Sequence, residues 1–250
     1  MNKIDSISLL NERFFDVYYK DYLDKINEIT QLPYKDYLRS SSAGTCVRKQ
    51  WYSWNKFEET EPMEARNGRV VRLGTIVHTE IENFIKNQLN VMDELSDWEF
   101  IPEFEFKDNV NNITGHIDLV IRNKKTEKVY IYDWKTIGRF SLYYKQNPHK
   151  AKNIHYSHEY QLGTYGHYIR DAFKDCSGMF LGYYNKDTSE IWIKEVSLDW
   201  IDEAKIWWNE AKGMILDTKM PEMGELTPMT QNECGYCSYA SQCSLDNLDK

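Results

Sequence analysis

Charged residues inside two apolar, strand-like stretches are the feature that most constrains this chain. The stretch TGHIDLVI contains Asp118, and VYIYDWKTI contains Asp133 and Lys135. A buried carboxylate without a partner is costly, so acids in such places need something to hold them. Residues two apart on a strand share a face, so Asp133 and Lys135 project together. If the two strands pair, Asp118 joins them.

This convergence predicts a divalent metal site. Mg²⁺ and Mn²⁺ take oxygen ligands, typically one or two carboxylates with waters and a substrate phosphate. Such an ion can polarise a phosphodiester and activate a water, and a lysine can stabilise the charge that develops. The competing interpretation is a strand-terminal Asp118 and an ordinary surface pair of Asp133 and Lys135. The D-x-K triplet alone does not separate the two.

Composition indicates a globular protein with a sizeable core. The chain has 250 residues, of which 41% are hydrophobic and 14% aromatic. No apolar run approaches the roughly 18 residues of a membrane helix. The start, MNKIDSISLLNERFF, has no basic region followed by an apolar core, so it does not resemble a secretory signal. We therefore expect a cytoplasmic protein without membrane contact.

The spacing of apolar residues predicts helices around a central group of strands. Three strands are expected in WEFIPEFEFKD, NITGHIDLVIRN and KVYIYDWKTI, the last two as a hairpin, and a second hairpin in SGMFLGYYNKD and EIWIKEVSLD. Helices are expected over about 8–29 and in SSSAGTCVRKQWYSW, RVVRLGTIVHTEIENFIKNQL, SHEYQLGTYGHYIRDAF and LDWIDEAKIWWNEAKGMIL, with EETEPMEARNG as a loop. The pattern favours one α/β or α+β domain with a mixed sheet flanked by helices. Its parts would be an N-terminal helical region (about 1–60), a core (66–215) and a cysteine-rich segment (216–250).

Two further motifs lie on predicted helices. His78 follows a glycine in RLGTIVHTEIENF, and Gln161 and Tyr165 are four residues apart in EYQLGTYGHYI, on one helical face. His78 is either a metal ligand or an ordinary packed or solvated histidine. Gln161 and Tyr165 either contact DNA or the catalytic layer, or form an amide–aromatic pair on the helix surface.

The cysteines indicate a bound metal or cluster. Cys234, Cys237 and Cys243 form C-x2-C-x5-C, and Cys46 lies 188 positions before the first of them. A zinc ribbon would normally show two C-x2-C pairs, whereas four thiolates in this arrangement suit a [4Fe–4S] cluster at least as well. Ordinary reduced cysteines are the alternative. Cys176 fits neither group and is expected to be a free thiol.

The order of these motifs resembles the RecB-type nucleases of the PD-(D/E)XK superfamily over about residues 68–170. The pieces are His78, GHID ending at Asp118, DWK from Asp133, and QLGTY from Gln161 to Tyr165. The resemblance implies a restriction-endonuclease-like core in which His78, Asp118, Asp133 and the Trp134 carbonyl bind Mg²⁺ or Mn²⁺. It implies that Lys135 is catalytic and that Gln161 and Tyr165 support the substrate. Many members have Glu where this chain has the shorter Asp133, which bears on metal distance and preference.

The cysteine pattern extends the resemblance to about residues 42–243. CRISPR-associated Cas-four exonucleases and the nuclease domains of related helicases carry one upstream and three C-terminal cysteines, and their upstream segment is similar to CVRKQWYSW. The resemblance implies a [4Fe–4S] cluster on Cys46, Cys234, Cys237 and Cys243 that ties the two ends of the chain together, with Zn²⁺ as the less favoured occupant. The chain has no P-loop motif, which favours a stand-alone nuclease.

Basic residues with interleaved aromatics predict where DNA would lie. The net charge of −8 argues against a general nucleic-acid coat, but no Asp or Glu occurs from Trp134 to His158. Cations with aromatics suit single strands; a solvated face or a plain basic loop is the alternative. The candidate contacts are Arg66, Arg69, Arg72, Arg139, Tyr143, Tyr144, Lys145, Lys150 and Lys152.

The leading hypothesis from the sequence is a metal-dependent DNA nuclease with an iron–sulfur cluster, acting as an exonuclease on single strands or free ends. The resemblance implies recombination, repair, phage DNA processing or CRISPR adaptation as the setting, in a prokaryotic or phage-infected cell, with recombination or CRISPR-integration proteins as partners. The alternatives are a structure-specific endonuclease, a non-catalytic DNA-binding subunit, and a zinc-stabilised interaction module. The sequence does not decide the oligomeric state.

Overall fold

The elements of the fold are defined by a computed structural model, which describes residues 36–61, 63, 65–87, 92–151, 155–227 and 231–248. The helix predicted over about 8–29 lies outside them. In chain order the described elements are β1 (Leu38–Arg39), α1 (Val47–Trp54), α2 (Ala65–Asn87), β2 (Trp98–Asp108), β3 (Ile113–Asn123), β4 (Val129–Ile137), α3 (Arg139–Gln146), α4 (Ser157–Phe173), β5 (Gly178–Asn185), β6 (Ile191–Val196), α5 (Trp200–Leu216), α6 (Gln231–Gly235) and α7 (Ala240–Leu248).

The described strands form one mixed sheet of six strands. The mixed sheet and five of these strands were predicted, and β1 was not. β3 pairs antiparallel with both β2 and β4, β4 pairs parallel with β5, and β5 pairs antiparallel with β6. The three predicted central strands and both predicted hairpins are therefore confirmed. The parallel β4–β5 pair requires a crossover, and the chain between the two strands contains α3 and α4.

The sheet opens into a fork along one edge of β3. β2 follows one edge of β3 along its whole length. The other edge is shared, because β4 pairs with residues 119–122 and the two-residue β1 pairs in parallel with residues 113–114. Residues 115–118 lie between these two partners. This fork leaves room at the sheet edge for side chains that would otherwise be covered by a strand.

Helices α4 and α5 pack against each other and cover the core side of the sheet. Their contact is close at Gly163, where an added Cβ would lie 2.0 Å from the carbonyl oxygen of Trp200. Buried apolar residues of both helices meet strand residues such as Val120 and Ile131. Each such large side chain contributes roughly 1.5–3 kcal/mol on burial, so this layer fixes α4 firmly against β4.

Two segments differ from the sequence prediction. α2 begins at Ala65, within the segment EETEPMEARNG that was predicted as a loop. Gly68 lies inside this helix in a buried position, so packing outweighs the roughly 1 kcal/mol that glycine costs in a helix. The basic stretch after β4, for which no element was predicted, forms α3. Within the described part of the chain, none of the helices combines the length and apolarity that a membrane span requires.

Candidate active site and cysteine cleft

Asp118 and Asp133 face each other where β3 and β4 separate. Leu119 and Tyr132 are the last paired residues of the antiparallel ladder, and the continued register places Asp118 opposite Asp133. Residues directly opposite each other share a face of the sheet. Asp118 Oδ2 accepts a hydrogen bond of 2.6 Å from the backbone N–H of Trp134. The Asp118 carboxylate therefore bridges the fork.

Asp133 is buried and paired with Lys135. Its exposed fraction is 1%, and the Lys135 Nζ lies 2.6 Å from its Oδ2. Lys135 is the described group placed against this oxygen, and its positive charge compensates the buried carboxylate. Burial raises the pKa of Asp133, Lys135 lowers it, and Asp118 raises it further. A buried carboxylate that is balanced by one ammonium and lies opposite a second carboxylate is a donor set that fits a hard cation.

His78 reaches the same place from α2. Its Nδ1 lies 3.4 Å from Asp118 Oδ2, and the hydrogen bond with Asp118 raises the pKa of His78 against the opposing effect of burial. Across the described residues, no three His, Cys, Asp or Glu side chains are close enough together to hold a metal ion. His78 contacts Asp118, and Asp118 lies opposite Asp133 on the next strand, so the predicted ligands are neighbours but do not converge on one point in this arrangement. Lys135 and the Trp134 N–H contact the carboxylate oxygens.

Gln161 and Tyr165 lie behind Asp133 rather than on the surface. The Gln161 Nε2 donates to Asp133 Oδ1 at 3.3 Å and to the Tyr165 hydroxyl at 2.7 Å. The exposed fractions are 6% for Gln161 and 3% for Tyr165. Burial, followed by Asp133 and Asp118, raises the pKa of Tyr165, so its phenol stays protonated. The two side chains are therefore not a surface pair, and their role in the site stays a prediction.

The basic and aromatic candidates fall into two surfaces. Arg69 and Arg72 lie on α2, together with Arg66, whose side chain is outside the description. The second surface follows β4 directly, on α3 and the 3₁₀ turn after it, and Lys150 Nζ donates to the Tyr143 hydroxyl there at 2.6 Å. Lys152 lies outside the described residues. The described members of the second surface are Arg139, Phe140, Tyr143, Tyr144, Lys145 and Lys150.

The four predicted cluster cysteines line a single cleft of about 1110 Å³, although they come from both ends of the described chain. Cys46 is the N-cap of α1, and its Sγ accepts the backbone N–H of Lys49 at 3.4 Å. Cys234 lies on α6, Cys237 follows it, and Cys243 lies on α7. All four are free thiols. Burial raises the pKa of Cys46, and Cys237 and Cys243 are near enough to add to the rise.

Arg48 is a buried cation beside this cleft. Its exposed fraction is 1%, its Nε donates to the Tyr52 hydroxyl at 3.2 Å, and its Nη1 donates to Asn247 Oδ1 at 2.8 Å. Its Nη2 has no hydrogen-bond partner among the described groups. The charge of Arg48 lowers the pKa of the Cys243 thiol, which burial raises. A buried, unpartnered N–H beside thiols is suited to a negatively charged metal–thiolate centre.

Comparison with protein families identifies the fold that carries these sites. A model of the PD-(D/E)XK nuclease superfamily matches residues 92–244. The match covers more than half of the chain and contains Asp118, Asp133 and Lys135. The chain belongs to the PD-(D/E)XK nuclease superfamily.

Solved structures resemble this PD-(D/E)XK chain in fold. The protein SSO0001 is 18% identical with a TM-score of 0.53, over 94% of this chain and 96% of that one. A protein of Eubacterium rectale with the provisional name exonuclease is 12% identical, with a TM-score of 0.45 over 73% and 80% of the two chains. The alkaline exonuclease LHK-Exo of Laribacter hongkongensis is 10% identical, with a TM-score of 0.40 over 73% and 89%. No curated protein matches the chain. Only the first likeness is strong enough to bear on the fold, and it bears on nothing else.

Sequence reasoning missed several residues around the PD-(D/E)XK site. Arg48 could have been found, since it is two residues after Cys46 on the same short helix. Glu159 and Lys194 form a buried ion pair of 2.7 Å, and they are 35 positions apart, on α4 and β6. No local pattern links such residues. Cys176, predicted as a free thiol, is free and buried in the core.

Proposed function

We propose that the protein is a metal-dependent nuclease that hydrolyses phosphodiester bonds in DNA. The observation that carries the proposal is the pair of opposed carboxylates, Asp118 and Asp133, with the Lys135 ammonium 2.6 Å from one of them. Both acids and the lysine lie in the part of the chain that matches the nuclease superfamily. A lone ion pair would not need a second carboxylate at the open end of two strands.

The proposed roles follow from the contacts. His78, Asp118, Asp133 and the carbonyl of Trp134 would hold Mg²⁺ or Mn²⁺, which polarises a phosphodiester and activates a water when bound. Lys135 would stabilise the negative charge that develops on the phosphate. Gln161 holds the Asp133 carboxylate by a hydrogen bond, and Tyr165 in turn holds Gln161.

We further propose that the substrate is a DNA strand with a free end, cut as by an exonuclease. Exposed Phe140, Tyr143 and Tyr144 stand beside Lys145 and Lys150 directly after β4. Aromatic faces with cations bind single strands by stacking and charge. The motif order similar to RecB-type and Cas-four nucleases supports action at an end, in recombination, repair, phage DNA processing or CRISPR adaptation.

The cysteine cleft is proposed to hold a [4Fe–4S] cluster on Cys46, Cys234, Cys237 and Cys243, with Zn²⁺ as the less favoured occupant. Supporting this are the four free thiols on one cleft and the unpartnered Nη2 of Arg48 beside them. Such a centre would tie the segments 1–60 and 216–250 to the core 66–215. Iron and sulfide content of anaerobically purified protein tests this part independently of cleavage.

The nuclease proposal is tested by measuring the cleavage of end-labelled single- and double-stranded DNA in the presence of Mg²⁺, Mn²⁺ or a chelator. Lys135→Ala should lower the metal-dependent rate by about 100- to 1000-fold, the effect of removing one transition-state donor. Lys128→Ala is the matched control, because it removes an exposed lysine from the same hairpin. A circular single strand should resist cutting if an end is required.

Each outcome has a definite meaning. Metal-dependent cutting that Lys135→Ala abolishes and Lys128→Ala retains supports the assignment. Cutting of the circular strand would show that the protein is an endonuclease and not an exonuclease, with the same residues in the active site. A parent protein that binds DNA without cutting it under any metal condition would refute the nuclease and leave a DNA-binding subunit.

A further inference from the structure

A row of side chains leads from the candidate active site across the sheet to β6. Asp133 pairs with Leu181, and Leu181 pairs with Lys194. Laterally paired residues share a face, and neighbouring strands are about 4.8 Å apart. The backbone of Lys194 therefore lies about 10 Å from that of Asp133, on the same face. Lys135 occupies the adjacent row, paired with Tyr183.

A buried glutamate holds two lysines at the end of this row. The Glu159 side chain, on the first turn of α4, is 2% exposed. The Lys194 Nζ lies 2.7 Å from its Oε1, and the Lys145 Nζ lies 3.7 Å from its Oε2. Lys145 also donates to the carbonyl of His155 at 2.8 Å. Two ammonium groups thus share one carboxylate, which leaves an excess of positive charge in a half-buried place.

His158 adds a hydrogen-bond donor to the same place. Its Nδ1 lies 3.1 Å from the Tyr183 hydroxyl, and part of its surface remains accessible. Burial lowers the pKa of His158, and the ammonium groups of Lys135, Lys145 and Lys194 lower it further, so the ring is neutral. When the Tyr183 phenol donates to Nδ1, the ring proton is on Nε2. Lys145, Lys194 and His158 then each present an N–H donor.

We infer that Lys145, Lys194 and His158 form a subsite for a DNA backbone phosphate next to the scissile one, with Glu159 as the residue that positions both lysines. The inference rests on the proposed nuclease function and names a substrate contact beyond it. Successive phosphates of one B-DNA strand advance about 3.4 Å along the axis, so a lysine about 10 Å from Asp133 is within about three nucleotides of the cut. The subsite would set how the strand enters the site, because it joins β6, through Lys194, to the basic helix α3, through Lys145.

The first test measures binding without cleavage, as the salt dependence of single-stranded DNA affinity in chelator. Loss of one phosphate contact lowers the slope of log K against log[salt] by about 0.7. Lys194→Met and Lys145→Met should each show this loss. Lys174→Met is the control, because it removes the same charge at the far end of α4, about 24 Å from His158.

Lys194→Met leaves Glu159 buried with a weaker partner and could therefore destabilise the fold. A second pair of variants separates this effect from the loss of a phosphate contact. Glu159→Gln keeps both lysines and should keep most of the salt slope. The double variant Lys194→Met with Glu159→Gln has no buried carboxylate left without its partner. Its salt slope should still be lower than that of the parent by about 0.7. A parental slope in this double variant, with a parental melting temperature, would overturn the subsite.

The second test uses cleavage of strands that carry one neutral methylphosphonate linkage at successive positions. The parent should lose about 10- to 100-fold in kcat/KM at one position within three nucleotides of the cut, the effect of a charged hydrogen bond. Lys194→Met should cut the unmodified strand with a kcat/KM reduced by the same factor. The methylphosphonate at that position should not lower its kcat/KM further. Equal sensitivity of parent and variant at every position would overturn the inference. Absence of cutting by the parent would refute the nuclease instead, while the salt slopes would still decide the phosphate subsite.

Discussion

Gln161 uses both of its amide protons on buried oxygens, one on Asp133 and one on Tyr165. This arrangement fixes the carboxylate that also contacts Lys135. Such a fixed orientation matters for a metal ligand, because the direction of its oxygens is set before a cation arrives. If Asp133 holds a cation as proposed, Gln161 would therefore affect cation affinity as well as the chain's stability.

We expect Gln161→Met to raise the Mn²⁺ concentration needed for half-maximal cleavage by about 10- to 100-fold, the usual effect of losing a partner of a metal ligand. Methionine keeps the length of the side chain and removes the amide. Titration of cleavage against Mn²⁺ measures the effect. The exposed Gln146, on α3, provides the control as Gln146→Met. An unchanged Mn²⁺ requirement in Gln161→Met would show that Asp133 is held without this hydrogen bond.

The sequence predicted single residues well where a strand or helix period carried the information. The two-residue period of a strand places Asp133 and Lys135 on one face. The predicted hairpin then places Asp118 on the adjacent strand. The ion pair of Glu159 with Lys194 could not be predicted, because it depends on how α4 packs on β6. Burial of Gln161 and Tyr165 also depends on that packing.

At the level of elements, the turn between β2 and β3 is organised by Asp108. Its Oδ1 accepts the backbone N–H groups of Val110 and Asn111, both at 2.9 Å, and its Oδ2 accepts the Tyr168 hydroxyl at 3.0 Å. The turn also fixes Tyr168 of α4 against this hairpin. Burial raises the pKa of Asp108, but hydrogen bonds from Asn111, Tyr168 and Val110 outweigh it and hold the pKa below its ordinary value.

We expect Asp108→Asn to lower the free energy of unfolding by about 1–3 kcal/mol at pH 7. A carboxylate whose folded-state pKa is lowered stabilises the fold above its unfolded pKa of about 3.9, and this contribution is lost as the pH falls through the lower folded value. The difference between parent and variant should therefore be constant near neutral pH and shrink below about pH 4. Urea unfolding across this range measures it, with Glu94→Gln as an exposed control. A difference that does not change with pH would contradict the charge-based explanation.

The elements that the sequence missed are those whose formation depends on distant partners. α2 continues through Gly68 to Ala65 because that glycine is buried. The two-residue β1 pairs with Ile113 and Thr114, more than seventy positions later. Neither has a strong local period, whereas the long strands and α4 do, and these were predicted.

Across the whole molecule, the two ends of the described chain meet beside the cysteine cleft. The Trp51 Nε1 donates to the Asp217 carbonyl at 2.9 Å, and the Thr60 backbone N–H donates to the Ser238 carbonyl at 2.8 Å. Tyr52 stacks on Tyr239 with ring centroids 5.3 Å apart. The sequence predicted that the ends join through cysteines. It gave no sign of this aromatic and backbone contact, because the partners are between 166 and 187 positions apart.

A centre bound by the cysteines would add a covalent constraint to these contacts. Cys46 and Cys234 are separated by 188 positions, and a cross-link that closes a loop of this size stabilises by roughly 5 kcal/mol. In protein that carries its metal or cluster, Cys46→Ser should therefore lower Tm by about 10–20 °C. Differential scanning fluorimetry under nitrogen, with iron and zinc analysis of the same samples, measures both effects. Cys176→Ala is the control, because that thiol is buried away from the cleft, and it should leave the metal content unchanged. If Cys46→Ser kept both the parental Tm and the parental metal content, the ends would be joined by the aromatic and backbone contacts alone.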